Sequence, residues 1–166
     1  MHLIIAAAVS VVTALLEFTV VPDVKIGDAA PHPVLVLGVI WVIVGGWEPG
    51  LAWAFVGGLA LDIVGGRPLG SSAFSLLIAI GIASVIGGLL NRIRIAAPIL
   101  ATVIASPLYS MLLLAATTAL SNAQLTSDSL RAVLPSTAYD LVLVAIVGPL
   151  TVAIVQRRRE TERVDW

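Results

Sequence analysis

The sequence predicts an all-α polytopic membrane protein, a six-transmembrane-helix bundle, and three observations carry that prediction. Of its 166 residues 59% are hydrophobic and only 11% charged, with a mean hydropathy of +1.07. About a quarter of an average soluble chain is charged, so a water-soluble domain of this length could not hide so much apolar surface. The apolar residues fall into six runs divided by short stretches of Pro, Gly and charge. A dense charged tail closes the chain, from Gln156-Arg157-Arg158-Arg159 to Trp166.

The first segment is expected at residues 3–21. It lacks a basic leader and a small-residue cleavage site, so it reads as an uncleaved membrane helix. At 1.5 Å per residue it spans roughly 28 Å, close to the hydrocarbon thickness. Ala6, Ser10 and Ala14 recur every four residues and make a smooth stripe, suited to packing within the chain or to a partner subunit.

Residues 22–32 read as a loop. The second segment, 33–46, and the third, 51–64, are short, with Trp47-Glu48-Pro49-Gly50 between them as a tight turn. Arms of roughly 20 Å are too thin to cross a bilayer comfortably. Either the ends are longer, or the hairpin sits inside the bundle with the bilayer thinned around it. Gly50, Ala54 and Gly58 form a second small-residue stripe, so the third segment is expected to be packed on several sides. It breaks at Gly65-Gly66, and the chain restarts after Arg67-Pro68-Leu69-Gly70.

The fourth segment runs 71–90 and ends at Asn91-Arg92-Ile93-Arg94. The fifth runs 96–120, with Pro107 inside as an expected kink. A polar loop leads to the sixth, 133–155, where Gly148-Pro149 is a second expected kink. Residues 1–156 then form the transmembrane domain and 157–166 a charged cytoplasmic tail. Both water-exposed ends are short, so no second soluble domain is expected. Six crossings put both termini on one side, together with Arg92, Arg94, Arg157, Arg158, Arg159 and Arg163. The opposite side holds Lys25, Arg67 and Arg131, and the excess of arginine favours cytoplasmic termini.

Several function classes lose support at once. The net charge of −1 gives nucleic acid no electrostatic footprint. Absence of cysteine removes disulfides, thiolate metal sites and cysteine nucleophiles. His2 and His32 look isolated, in loops, so neither a metal site nor a histidine-based triad is expected. Asp62 and Asp140 do not lie in the sequence contexts of intramembrane aspartyl proteases. Gly57-Gly58 and Gly65-Gly66 are not followed by the lysine of a phosphate loop. No enzyme activity and no cofactor are expected.

What remains are ionisable residues in or at the ends of crossings: Glu17, Asp62, Arg67 and Asp140. A charge at mid-helix costs about 2.5–3.5 kcal/mol, less toward the ends, so such side chains should face the bundle interior or a wet cavity. With the orientation above, all four fall in the outer half of the membrane. One reading is structural: Asp62 pairs with Arg67 or caps the restart at Gly70-Ser71-Ser72, and Glu17 reaches the headgroups. The other is an outward-opening polar pocket lined by Glu17, Asp62 and Asp140, holding a ligand or a segment of a partner. Three acids at one depth make no proton path across the membrane.

The stretch from Pro33 through the Trp-Glu-Pro-Gly turn to Phe55-x-x-Gly58-Leu59-x-x-Asp62-x-x-x-Gly66-x-Pro68-Leu69-Gly70 resembles the rod shape-determining MreD family. Trp53-Ala54 stands before Phe55 where glycine is more usual. The resemblance implies a non-enzymatic inner-membrane scaffold of the cell-elongation complex. Such a scaffold binds the bitopic protein MreC and helps link MreB filaments to the RodA polymerase and its transpeptidase; a homodimer is left open. It also implies a fold similar to the S components of energy-coupling-factor transporters. That fold supplies the alternative function, a small-molecule-binding S component.

Overall fold

A computed structural model describes residues 2–24, 29–90, 96–121 and 130–161. The arginine-bearing end of the fourth segment, the centres of the first and last polar loops and the end of the tail lie outside the described residues. Among the described residues six helices make the architecture: α1 (His2–Val24), α2 (Pro33–Gly45), α3 (Trp47–Gly65), α4 (Ser71–Leu89), α5 (Ala97–Ser121) and α6 (Val133–Thr161). Four of them, α1, α4, α5 and α6, are long and apolar enough to cross a membrane. The protein is therefore a membrane protein, with broad apolar faces on its perimeter such as Ile4, Val85, Leu134 and Ile146.

The shortest helix is the hub. α2 packs against all five others, and Val34, Leu35, Val36, Val39, Ile40 and Val42 are buried along it. A helix apolar on every side belongs inside a bundle rather than on its surface. With 13 residues α2 spans roughly 20 Å and does not need to cross alone, because its neighbours wall it off from lipid. Its partner α3 is longer than the sequence reading, which began it at Leu51. The Trp-Glu-Pro-Gly stretch is not a separate turn but the first turn of α3. Pro49 is tolerated there because the first-turn N–H groups have no intrahelical acceptor. The break falls one step earlier, at Gly46, whose φ of 100° is a conformation side chains avoid.

Both small-residue stripes are turned inward. Ala6, Ser10 and Ala14 are buried, and a Cβ added at Gly57 of α3 would stand 3.1 Å from Ser10 Cβ. On α3, Gly50 sits against Val42 of α2, Ala54 is buried in the core, and Gly58 meets the backbone of Ala73 on α4. A Cβ at Gly58 would lie 2.3 Å from Ala73 Cα, so only glycine lets these two helices approach so closely. Around α2, Trp53 stacks on Trp41 with ring centroids 5.2 Å apart and donates its indole N–H to the Val34 carbonyl at 2.9 Å. At the far end, α6 continues past residue 155 to Thr161, so the arginine-rich stretch extends the helix. His2 likewise belongs to α1 and not to a loop.

Candidate functional site

At one end of the bundle two helices start below the ends of their neighbours, α2 at Pro33 and α4 at Ser71. A helix start presents N–H groups without acceptors and carries a partial positive charge, so buried starts require acceptors, best supplied by anions. Three carboxylates from three different helices meet that requirement. Glu17 of α1 accepts from Val34 N through Oε2 at 2.9 Å. Asp140 of α6 accepts from His32 N through Oδ1 at 2.7 Å, at the residue before α2. Asp62 of α3 accepts from Gly70 N at 2.8 Å through one oxygen and from Ser72 N at 2.9 Å through the other, at the start of α4. Asp62 and Asp140 are fully buried, 0% exposed, and no buried side-chain polar atom among the described residues lacks a partner.

The Asp62 arrangement accounts for the spacing of the surrounding residues. Gly66 ends α3 in the left-handed region, with φ of 60°, and its N–H turns back to the Ile63 carbonyl. Arg67 N donates to the Asp62 carbonyl at 3.0 Å, Ser71 N to the Pro68 carbonyl, and Gly70, at φ of 97°, leads into α4. Asp62 thus ties the helix that stops to the helix that restarts nine residues later, at Ser71. Of the two structural alternatives for Asp62, capping is the one realised. Arg67 instead directs Nη1 at Ser72 Oγ, 3.3 Å away, and forms no ion pair with Asp62 among the described residues.

His32 is the residue that sequence reasoning missed. It is not isolated: its Nδ1 lies 3.0 Å from Asp140 Oδ2, so ring and backbone both engage the same carboxylate. Ser106 of α5 donates to that Oδ2 at 2.6 Å, Ser136 of α6 accepts from Ala30 N at 3.1 Å, and Tyr109 meets the imidazole edge-on with centroids 5.3 Å apart. Burial opposes a charge on His32. The Asp140 hydrogen bond, with the Asp140 and Glu17 charges nearby, outweighs it and raises the imidazole above the ordinary 6.5. The available signal was the polar spacing Thr102, Ser106, Ser110 on α5 and Ser136, Asp140 on α6; nothing near His32 pointed to a partner 108 residues away.

A cavity of about 320 Å³ opens beside this cluster, walled by His32, Arg67, Ser110, Leu113, Leu114 and Ser136 among others. Glu17, Asp62 and Asp140 are not among the described residues that line it. Asp62 gives both oxygens to backbone N–H groups, Asp140 gives one to His32 N and the other to His32 Nδ1 and Ser106 Oγ, and Glu17 gives Oε2 to Val34 N. Among the described residues no group of three His, Cys, Asp or Glu side chains is placed to hold a metal ion.

The Phe55-to-Gly70 run therefore divides in two. Gly58, Asp62, Gly66 and Gly70 have defined internal roles, whereas Phe55 and Leu69 are 51% and 70% exposed. Pro33 opens α2 at the position where a missing N–H is harmless, and Leu59 is half-buried. A family model described as rod shape-determining protein MreD matches residues 1–158. No curated protein and no solved structure matches the chain.

Proposed function

The chain belongs to the rod shape-determining MreD family, and from that premise we propose that it is a non-enzymatic inner-membrane scaffold of the cell-elongation complex. In this reading it binds an MreC-like bitopic protein and through it helps regulate peptidoglycan synthesis by RodA and its transpeptidase, with MreB contacted indirectly. The observation that carries the proposal is the family match across nearly the whole chain. The geometry supports it: the three membrane carboxylates are occupied in holding helix starts, which gives them the work of a rigid framework. In this reading both termini are cytoplasmic, as the arginine distribution favours, and the acid-bearing end faces outward.

The partner-facing residues in this reading are Phe55 and Leu69, with Ile63 and Phe74 in the same part of the chain, all exposed. The stripes Ala6-Ser10-Ala14 and Gly50-Ala54-Gly58 drop out as docking faces because the chain's own helices cover them. The S-component alternative draws no support from solved structures. The test is purification of the tagged chain in mild detergent from a native-like host, with mass spectrometry of what accompanies it. An MreC-like single-pass protein is expected, in reduced yield for Phe55→Ala and Leu69→Asn at unchanged helicity. Recovery of a coupling subunit with paired ATPases would overturn the scaffold reading.

A further inference from the structure

We propose that the cavity between His32 and Arg67 is a binding site for a phosphate group, presented by a phospholipid headgroup or as free phosphate. This inference does not rest on the identity of any protein partner. It starts from where the charges point. Arg67 lies close enough to Glu17 and His32 to interact with both electrostatically, yet forms no ion pair with Glu17, Asp62 or Asp140 among the described residues. Its hydrogen bond among those residues is the long one to Ser72 Oγ, and its side chain lines the cavity. A guanidinium carries five donors in a fixed fork, so one long hydrogen bond leaves donors for an occupant of that space.

In its protonated form His32 supplies the second donor. Asp140 engages Nδ1, which fixes the ring and leaves Nε2 as the nitrogen available to the cavity that His32 also lines. Ser110, Ser136 and Thr117 add hydroxyls to the wall, and Leu113, Leu114 and Val133 give it an apolar side. A guanidinium, a protonated imidazole and wall hydroxyls suit a tetrahedral oxyanion, and an apolar flank suits the carbon next to it. Glu17, Asp62 and Asp140 are not among the described residues that line the cavity. The volume of about 320 Å³ corresponds to about ten water molecules, which fits a headgroup and lies at the small end of ligand pockets. Its position, where α5 ends and α6 begins, places it at a membrane surface.

The test uses the purified full chain in maltoside micelles with three probes: inorganic phosphate, phosphatidylglycerol, and a phosphate-free galactolipid. Native mass spectrometry reads retained lipid, and a thermal-shift titration reads phosphate. Saturable binding of phosphatidylglycerol over galactolipid is expected, weakened at least tenfold in Arg67→Gln and in Leu114→Trp, which fills the cavity with the arginine intact. Arg67→Lys should fall between, and the tail variant Arg158→Gln should match the wild type. Binding of inorganic phosphate with the same dependence assigns the site to phosphate itself. Binding of phosphatidylglycerol alone assigns it to the lipid. Equal retention of the galactolipid, or wild-type affinity in Arg67→Gln with native helicity, overturns the proposal; if that variant does not fold, wild-type affinity in Leu114→Trp overturns it.

Discussion

Replacing Asp62 by alanine removes the acceptor for two backbone N–H groups at the start of α4. Ser72 N is buried and Gly70 N partly so, and the Asp62 carboxylate is the acceptor that the structure gives each of them. A donor left unsatisfied in this way costs about 1–3 kcal/mol, and loss of a negative charge beside a helix N-terminus adds about 0.3–1. Allowing for the partial exposure of Gly70, Asp62→Ala should destabilise by about 2–5 kcal/mol. Asp62→Asn keeps one carbonyl oxygen but turns an amide NH₂ toward the second N–H, so about 1–3 kcal/mol is expected. The assay is unfolding in mixed micelles by titration with SDS, followed by circular dichroism and by fluorescence of the Trp41–Trp53 pair, with amide hydrogen exchange at Gly70 and Ser72. The order wild type, Asp62→Asn, Asp62→Ala should hold, and exchange at the two amides should quicken by about tenfold or more. A wild-type midpoint for Asp62→Ala, or an Asp62→Asn variant no better than alanine, would refute the capping role.

Other perturbations separate the parts of the framework. Gly58→Leu should abolish native packing, because even a Cβ falls 2.3 Å from Ala73 Cα, while Gly57→Ala, at 3.1 Å from Ser10 Cβ, should lower the unfolding midpoint only slightly; size-exclusion profiles distinguish them. Trp53→Phe leaves the Val34 carbonyl without its indole donor and should cost about 1 kcal/mol in the SDS titration. His32 sits outside the helices with a folded-state pKa above 6.5. Its charge therefore stabilises the protein fully below pH 6.5, and that contribution fades as pH rises through the raised folded value. The SDS midpoint should fall over that interval in the wild type and stay flat in His32→Gln.

The six helices were legible because apolar runs and glycine–proline breaks are local properties of a chain in lipid. The Asp62 cap was legible for the same reason: acid, break and restart all lie within ten residues. What sequence could not yield was decided by contacts across the chain. α2 is apolar on every side, so nothing in its pattern marks it as the hub rather than a lipid-facing arm. The Trp-Glu-Pro-Gly stretch has the composition of a turn, yet a first helical turn accepts the same residues, and Gly46 takes the break. His32 and Asp140 stand 108 positions apart and meet only once α2 is threaded between α1 and α6. From sequence the acids read only as ionisable residues near helix ends; the buried helix starts they hold, and the cavity wall that joins His32 to Arg67, follow from contacts between elements.

The most direct test of the scaffold account is site-specific photo-crosslinking in a native-like host, with a photoreactive residue at Phe55 or Leu69 and, for comparison, at Ile4 on the exposed side of α1. The account predicts crosslinks from 55 and 69 to one single-pass membrane protein of the MreC type, and lipid adducts alone from position 4. Crosslinks confined to position 4, or lipid adducts alone from all three, would contradict it.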